Sequence, residues 1–250
     1  MSHLTTGRRI GNALYKMAFP AYRPLYAALK AYADRAERQL LSQRLAKGAV
    51  VVDAGANIGT FTVFLSNLVG PTGRVHSFEP SPDNFRRLVD VASGRPNVTA
   101  NEMAVSDKTE TKLLYISDDL NVDHRAYPTE GETRRTISIE ATALDDYFTP
   151  ASRVDLLKTD IQGYELHALR GATRLLADNP HIMLLLEFWP YGLRKAGASA
   201  DELASFLRDR QFELNLLTKD GLTEFNYGDN GEPDSAVYHN LFAQRKRANV

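Results

Sequence analysis

The chain has 250 residues, of which 43% are hydrophobic and 24% charged, a composition that is typical of a folded protein and excludes wholesale disorder. It contains no cysteine, which excludes disulfide bonds, thiolate metal sites and a cysteine nucleophile. No apolar run approaches the roughly 20 residues needed to span a bilayer. Lys16 interrupts the one apolar segment near the N-terminus, so we expect no secretory signal and a cytoplasmic location.

The net charge of −1 hides an uneven distribution along the chain. Residues 1–47 carry nine Lys and Arg against two acidic residues, which gives +7, and the remainder therefore carries −8. A basic segment on an acidic body could contact an anionic partner, although a solvated helix face is the simpler interpretation. The acidic body argues against broad contact with a nucleic-acid backbone, so no nucleic-acid partner is expected.

Residues 25–45 predict an amphipathic helix, because apolar side chains recur there at helical spacing with charges between them. Pro20 and Pro24 are expected to separate it from a shorter helix at 7–18. We interpret 1–47 as a helical extension that packs on the main domain, 48–250, or forms a homodimer. The predicted stripe comprises Leu25, Leu29, Tyr32, Ala36, Leu40 and Leu45.

From residue 49 onward, strand and helix patterns alternate. The continuous apolar run at 49–52 is typical of a strand buried on both faces of a parallel sheet. The β-α-β-α-β order after it predicts a doubly wound α/β sheet. The polar segment 117–135 is long for a structureless loop and is expected to be functional or partly mobile. Further strands are predicted at 74–78, 97–100, 112–116, 136–140, 154–159, 181–188, 212–218 and 236–244, and helices at 59–68, from 82, at 144–148, from 164 and from 199.

The first predicted strand ends in the pattern Asp-x-Gly-x-x-x-Gly, from Asp53 to Gly59. A dinucleotide fingerprint would need glycine in place of Asn57 and Thr60, and no Walker loop is present after it, so an NAD-linked oxidoreductase is disfavoured. A carboxylate before a tight glycine turn suits S-adenosylmethionine (SAM), whose ammonium group needs an acceptor that Asp53 could supply directly or through water. Glu79 ends the second strand, where a carboxylate can accept hydrogen bonds from both ribose hydroxyls.

Three segments taken in order, 53–60, 78–82 and 157–165, resemble the FkbM family of SAM-dependent methyltransferases. The resemblance covers roughly 48–245 and implies a Rossmann-like class I methyltransferase fold, whose mostly parallel seven-stranded sheet has an antiparallel last strand. It also implies O-methylation of a hydroxyl, often on a sugar or a polyketide-type ring. The cofactor site is expected to include Asp53, Gly55, Ala56, Asn57, Gly59, Thr60, Glu79, Pro80, Met103, Ala104 and Asp160.

Methyl transfer to an alcohol requires a group that helps to remove the hydroxyl proton. Lys158 and Asp160 project from one face of the fourth parallel strand, where Lys158 could be catalytic or could only pair with a carboxylate. His124 has a suitable unperturbed pKa for a base. Glu187, at the end of the neighbouring strand, could be the base or could bind Mg²⁺ together with Asp160. Zinc is disfavoured, because the chain has no cysteine cluster and no His-x-x-x-His pair.

Three further side chains are candidates for binding the acceptor. Asn121 and Arg125 could hold hydroxyls or a phosphate, and Trp189 could stack against a ring. The alternative is a solvated loop and ordinary packing of the tryptophan. We favour an O-methyltransferase acting on a small molecule, with no membrane span. A non-catalytic binding module that retains the fold is the alternative from a different functional class.

Overall fold

The central element of the fold is an eight-stranded mixed sheet, seen in a computed structural model that describes residue 15 and residues 18–117, 123–128, 134–227 and 236–245. Its strands are β1 (Val50–Ala54), β2 (Arg74–Phe78), β3 (Val98–Asn101), β7 (Leu156–Thr159), β8 (Met183–Phe188), β9 (Phe212–Thr218), β10 (Gly221–Glu224) and β11 (His239–Arg245). A separate sheet contains β4 (Ala104–Val105), β5 (Glu110–Ile116) and β6 (Arg135–Thr142).

The described helices fall before, between and after these strands. They are α1 (Phe19–Ala33), α2 (Arg35–Arg44), α3 (Thr60–Val69), α4 (Pro82–Ala92), α5 (Leu144–Tyr147), α6 (Glu165–Arg170), α7 (Thr173–Asp178), α8 (Pro190–Lys195) and α9 (Ala200–Arg208). The start of α9 is explained directly by its sequence, because Ser199 and Glu202 form a reciprocal capping box.

The main sheet has the strand order β10-β9-β11-β8-β7-β1-β2-β3. The five strands from β3 to β8 run parallel, and β11 is antiparallel to both β8 and β9. This confirms the predicted class I methyltransferase architecture. The chain moves from β1 out to β3 and then returns to the other side of β1 at β7, which opens a crevice at the carboxyl ends of these strands.

The sheet has eight strands rather than the expected seven. The additional strand β10 pairs with β9 as an antiparallel hairpin, in which Gly221 lies opposite Thr218. The turn sequence Asp220-Gly221 is a hairpin signal from which this strand could have been predicted.

Both faces of the parallel strands are buried, which explains their continuous apolar sequences. In β1, Val52 packs in a cluster with Leu166 and Leu169 from α6. The adjacent Val51 points to the opposite face and packs in a cluster with Leu65 of α3 and Leu41 of α2. Because successive side chains of a strand alternate between faces, each face needs its own helical cover.

The N-terminal segment differs from its predicted form. Residues 25–45 belong to two helices that meet at Asp34, and the first helix begins at Phe19 and includes Pro24. Pro20 lies in the first turn of α1, where an N–H has no intrahelical partner, whereas Pro24 lies inside the helix and leaves the carbonyl of Pro20 without its helical N–H donor.

The predicted apolar stripe of this segment is buried over its second half only. Leu40 and Leu45 are buried, whereas Leu25 is 56% exposed, Leu29 61% and Tyr32 71%. Tyr22, on the other side of α1, packs in an aromatic cluster with Tyr15 and Phe19. The exposed residues of α1 have no partner chain in this structure, and a homodimer through these helices stays a prediction.

No helix built from the described residues combines the length and the apolar character needed to cross a bilayer.

The loop after β7 depends on a glycine that touches another part of the backbone. Gly163 has a φ of +94°, and a Cβ there would lie 2.3 Å from the carbonyl carbon of Gly192 in α8.

We therefore expect Gly163→Ala to lower the free energy of unfolding by about 2–4 kcal/mol, measured by urea denaturation. Gly94→Ala is the matched control, because a Cβ at Gly94 meets nothing within 4 Å, and it should cost about 0.5 kcal/mol or less. Equal losses in the two variants would contradict this account.

Candidate functional site

A cavity of about 1020 Å³ lies at the carboxyl ends of the parallel strands. The turn after β1, the end of β2, the loop after β7 and the end of β8 all contribute to its lining, as do α1, α2 and β11. Ligands of open α/β sheets bind at this edge, beside the point where the strand order reverses. The cavity is therefore the candidate functional site.

The turn after β1 is built from backbone conformations that favour glycine. Gly55 has a φ of +80°, and a Cβ there would lie 2.0 Å from the carbonyl oxygen of Asp160. Gly59 has a φ of +82°, and its Cβ would meet Val91 of α4 at 2.4 Å. Asn57, with a φ of 51°, closes the turn, because its side-chain oxygen accepts a hydrogen bond from the N–H of Ile58 at 2.7 Å. The turn thus brings the chain close to the loop after β7 and to α4.

Glu79 is a buried carboxylate that lines the cavity. Its Oε2 accepts a hydrogen bond from the N–H of Asn57 at 2.8 Å, and its Oε1 accepts one from the N–H of Ser81 at 2.9 Å. Burial raises the pKa of Glu79 to about 7, although these two N–H donors favour the ionised form. Pro80, Met103 and Ala104 line the cavity with it.

Asp53 lies below the cavity and does not line it. Its Oδ1 pairs with Lys158 Nζ at 3.1 Å, and its Oδ2 accepts a hydrogen bond from Thr62 Oγ1 at 2.7 Å. Both oxygens of this buried carboxylate therefore bind protein groups. The side chain of Asp53 is not part of the cavity lining, so the expectation that it accepts a hydrogen bond from a cofactor ammonium group, directly or through water, stays a prediction.

Lys158 lines the cavity above Asp53 and is itself buried. Burial acts to lower the pKa of Lys158, but the carboxylates of Asp53 and Asp160 outweigh that effect and raise it. The ammonium group therefore stays charged near neutral pH and is not a proton acceptor. Its Nζ lies 4.0 Å from Asp160 Oδ2.

Asp160 and Glu187 meet across the side chain of Gln162. Gln162 Nε2 donates to Asp160 Oδ1 at 3.4 Å and to Glu187 Oε2 at 3.2 Å. Burial, together with the smaller effect of the charges of Asp160 and Glu165, raises the pKa of Glu187 well above its usual value. The predicted proximity of Asp160 and Glu187 is thus present.

Glu165 is a third carboxylate of this region and lies beneath the loop. Its Oε1 accepts from the N–H of Ile161 at 3.0 Å, and burial raises its pKa to about 8. Among the described residues, no group of three His, Cys, Asp or Glu side chains is arranged to hold a metal ion. The suggested Mg²⁺ ligation by Asp160 and Glu187 therefore gains no support.

His124 also lines the cavity but is engaged by the backbone. Its Nδ1 accepts a hydrogen bond from the N–H of Ser117 at 3.1 Å, and burial lowers its pKa to about 4. The neutral ring consequently carries its proton on Nε2 and can donate a hydrogen bond.

The remaining acceptor candidates have packing roles as well as cavity positions. Arg125 Nε pairs with Asp123 Oδ1 at 2.8 Å, and its guanidinium lies 5.2 Å from the ring centre of Trp189. Trp189 is buried and stacks on Tyr238 with ring centres 5.0 Å apart. Asn121 lies outside the described residues.

Sequence reasoning missed several side chains of the cavity wall. Gln162 lies within the third family motif without being a site candidate, yet it joins the two carboxylates. Tyr26, Lys30, Asp34 and Glu37 also line the cavity. Their spacing of three or four residues was a usable signal, because such residues share one face of a helix.

The Asp53–Lys158 pair generates a stability prediction. Lys158→Met should lower the free energy of unfolding by about 3–5 kcal/mol, because it leaves a fully buried carboxylate without its counter-charge. The double variant Asp53→Asn, Lys158→Met should recover part of that loss. Urea denaturation measures both, and Lys219→Met, at a side chain that is 75% exposed, is the matched control. A Lys158→Met variant as stable as the control would exclude this role.

Curated relatives with detectable sequence similarity are methyltransferases. Over 202 residues, the chain is 24% identical to the methyltransferase sdnD of Sordaria araneosa, and the match covers 66% of this chain and 73% of that protein. It is 25% identical over 144 residues to the hexuronic acid methyltransferase AglP of Haloferax volcanii. That match covers 55% of this chain and 56% of AglP.

Solved structures of similar fold include two methyltransferase-type proteins. The FkbM methyltransferase of Methylobacillus flagellatus superposes with a TM-score of 0.51 at 20% identity, covering 80% of this chain and 44% of that one. This chain therefore spans less than half the length of that protein. Fibrillarin of Aeropyrum pernix, solved with bound SAM, gives a TM-score of 0.50 at 15% identity, covering 84% and 73%. At these identities the likeness establishes the fold.

The family model of the FkbM methyltransferase domain matches residues 53–214, which is more than half of the chain. This span contains the glycine turn, Glu79, Asp160 and Glu187. It begins after the two N-terminal helices. The chain belongs to the FkbM methyltransferase family.

Proposed function

We propose that this protein transfers a methyl group from SAM to a hydroxyl group of a small molecule, with a sugar or a polyketide-type ring as the acceptor class. The observation that carries the proposal is one continuous cavity with the carboxylate of Glu79 on one side and the Asp160–Gln162–Glu187 group on the other. The carboxylate of Glu79 is suited to accept hydrogen bonds from ribose hydroxyls. The Asp160–Gln162–Glu187 group is suited to accept the proton of an acceptor alcohol.

The cofactor half of the cavity comprises the glycine turn and the end of β2. Each oxygen of Glu79 accepts one backbone N–H, and Asn84 donates a side-chain hydrogen bond to the same carboxylate. A carboxylate has about four acceptor positions, so it can still accept from a ligand. Adjacent ribose hydroxyls are suitable donors. SAM, when bound, supplies an activated methyl group on its sulfonium. Glycine at position 55 lets the turn after β1 pack directly against the backbone of Asp160, which holds these two cavity-lining segments together.

Among the carboxylates of the other half, we assign Glu187 as the general base, with Asp160 as its partner. Its raised pKa makes Glu187 a stronger proton acceptor than an ordinary carboxylate, as a base acting on an alcohol requires. His124 is less suited, because its Nδ1 already accepts a hydrogen bond from Ser117. The charged ammonium of Lys158 lies below Asp160 and complements its negative charge.

The relatives support this proposal to different degrees. AglP is named as a hexuronic acid methyltransferase, which favours a sugar-like acceptor here, and the fibrillarin structure contains SAM.

Turnover distinguishes an enzyme from a non-catalytic binding module that keeps the fold. The test is release of S-adenosylhomocysteine (SAH) from SAM in the presence of alcohols, with transfer of label from methyl-labelled SAM to the alcohol.

Cofactor affinity should depend on the ionisation of Glu79. Because only the ionised carboxylate accepts both hydroxyl protons, and its pKa is about 7, affinity for SAH should rise about tenfold between pH 6 and pH 8. Isothermal titration calorimetry measures this. Glu79→Gln should weaken binding by roughly 10- to 100-fold at pH 8 and flatten the pH profile.

The control for that measurement is Glu224→Gln, a substitution at an exposed position on β10 that should keep the wild-type profile. A Glu79→Gln variant with unchanged affinity and an unchanged pH profile would remove Glu79 from the cofactor site.

Loss of the general base should affect turnover rather than cofactor binding. Glu187→Gln is expected to lower kcat by about 10²- to 10⁴-fold with the SAH dissociation constant within about twofold of wild type. Asp160→Asn should lower kcat less, since Asp160 acts on Glu187. A Glu187→Gln enzyme with full turnover would place the base elsewhere.

A further inference from the structure

The two N-terminal helices form one wall of the cavity although they lie outside the residues that the family model matches. Tyr26 and Lys30 of α1, Asp34 at the junction and Glu37 of α2 all line it. Their spacing places them along one side of the helix pair. The exposed Leu25, Leu29 and Tyr32 lie on the other side and do not belong to this wall.

This wall is fixed to the catalytic half of the cavity by polar contacts. Lys30 Nζ pairs with Asp34 Oδ1 at 2.9 Å. Glu37 accepts a hydrogen bond from Asn240 Nδ2 on β11, the strand next to β8. Lys30 and Asp160 line the same cavity, and although burial acts to lower the pKa of Lys30, the charges of Asp160 and Asp34 outweigh it and raise the pKa.

Asp34 has a buried oxygen that is suited to a ligand. Its side chain is 10% exposed, and its Oδ2 accepts no hydrogen bond from any residue within the described ranges. A buried carboxylate oxygen without a donor is costly, because it has lost its hydration without a replacement. A hydroxyl group of a bound molecule would supply the missing donor.

The charge of the whole cavity restricts what that molecule can be. Within the described part of the chain, six Asp and Glu side chains line it against three Lys and Arg side chains, and each cation already has a carboxylate partner. A carboxylate or phosphate on the acceptor would find these three cations already engaged by carboxylates and would have no free counter-charge among them. Hydroxyl groups, by contrast, donate to carboxylates without a charge penalty.

We propose that the helix pair α1–α2 is the acceptor-binding wall of this enzyme, and that Asp34 and Glu37 select a neutral polyhydroxylated acceptor against an anionic one. This inference rests on the proposed function, because it assigns the acceptor to the cavity shared with Glu187. It differs from the activity named for AglP, whose substrate is an acid. The selection is made by residues of this chain that the family model does not include.

Binding of matched probes to the SAH-loaded protein tests the wall without requiring turnover. The probes are methyl β-D-glucopyranoside and myo-inositol, each paired with an acidic counterpart, methyl β-D-glucuronide and inositol monophosphate. We expect the wild type to bind the neutral member of a pair at least about tenfold more tightly. Asp34→Asn should weaken the neutral probe about tenfold and reduce that preference, and Glu37→Gln should act in the same direction.

Asp90→Asn is the matched control, since Asp90 is exposed on α4 and remote from the cavity, and it should keep the wild-type preference. SAH affinity should stay unchanged in all three variants, which shows that the cofactor half is intact. Saturation-transfer NMR measures the probes and calorimetry measures SAH.

Three outcomes would contradict the proposal that α1–α2 binds and selects the acceptor. They are tighter binding of the acidic probes by the wild type, a preference for neutral probes that Asp34→Asn and Glu37→Gln leave unchanged, or no binding of any probe to the SAH complex. Failure of the proposed function looks different. In that case the neutral probes bind and depend on Asp34, yet no label moves from methyl-labelled SAM to them.

Discussion

The buried ion pair between Asp53 and Lys158 is the interaction on which the site depends. The two residues are register partners on the adjacent parallel strands β1 and β7, at the end of the sheet where the cavity begins. An ion pair of this kind contributes little net stability, yet removal of one partner is costly. Its value here is positional, because the same ammonium group also lies near Asp160. One cation therefore couples the sheet to the loop after β7.

Much of the fold was predictable, because parallel strands covered by helices leave apolar runs and alternating elements that can be recognised without tertiary information. The glycine turn and Glu79 were predictable for a similar reason, since strand ends carry local signals. The role of Asp53 was not. An acidic residue at a strand end can face a ligand or a neighbouring strand, and the pairing of Asp53 with Lys158 depends on the strand register, which the sequence does not reveal. In α1 the predicted apolar stripe is exposed rather than packed on the main domain, because the buried side of this helix carries the aromatic residues Phe19 and Tyr22 instead; packing of the stripe on a second subunit stays a prediction.

Three carboxylates close to one another create the electrostatic character of the catalytic half. The charges of Asp160 and Glu165 increase the proton affinity of Glu187, while Lys158 and Lys30 oppose that effect. Like charges in a partly dry cavity cannot all ionise, so the group retains a proton more readily than an isolated carboxylate would. Gln162 donates to two members of the group and keeps them at a fixed separation.

The short strands at the two margins of the main sheet also have a consequence for colloidal behaviour. Both β3 and β10 contain four residues. A short edge strand offers few unpaired backbone N–H and C=O groups to another molecule. Pairing of exposed edge strands between molecules is a common route to aggregation. In the β9–β10 hairpin, β10 pairs with residues 215–218 of the longer β9 and so occupies the backbone groups of that part. The short strand β10 thus limits edge-to-edge association of the sheet at high concentration.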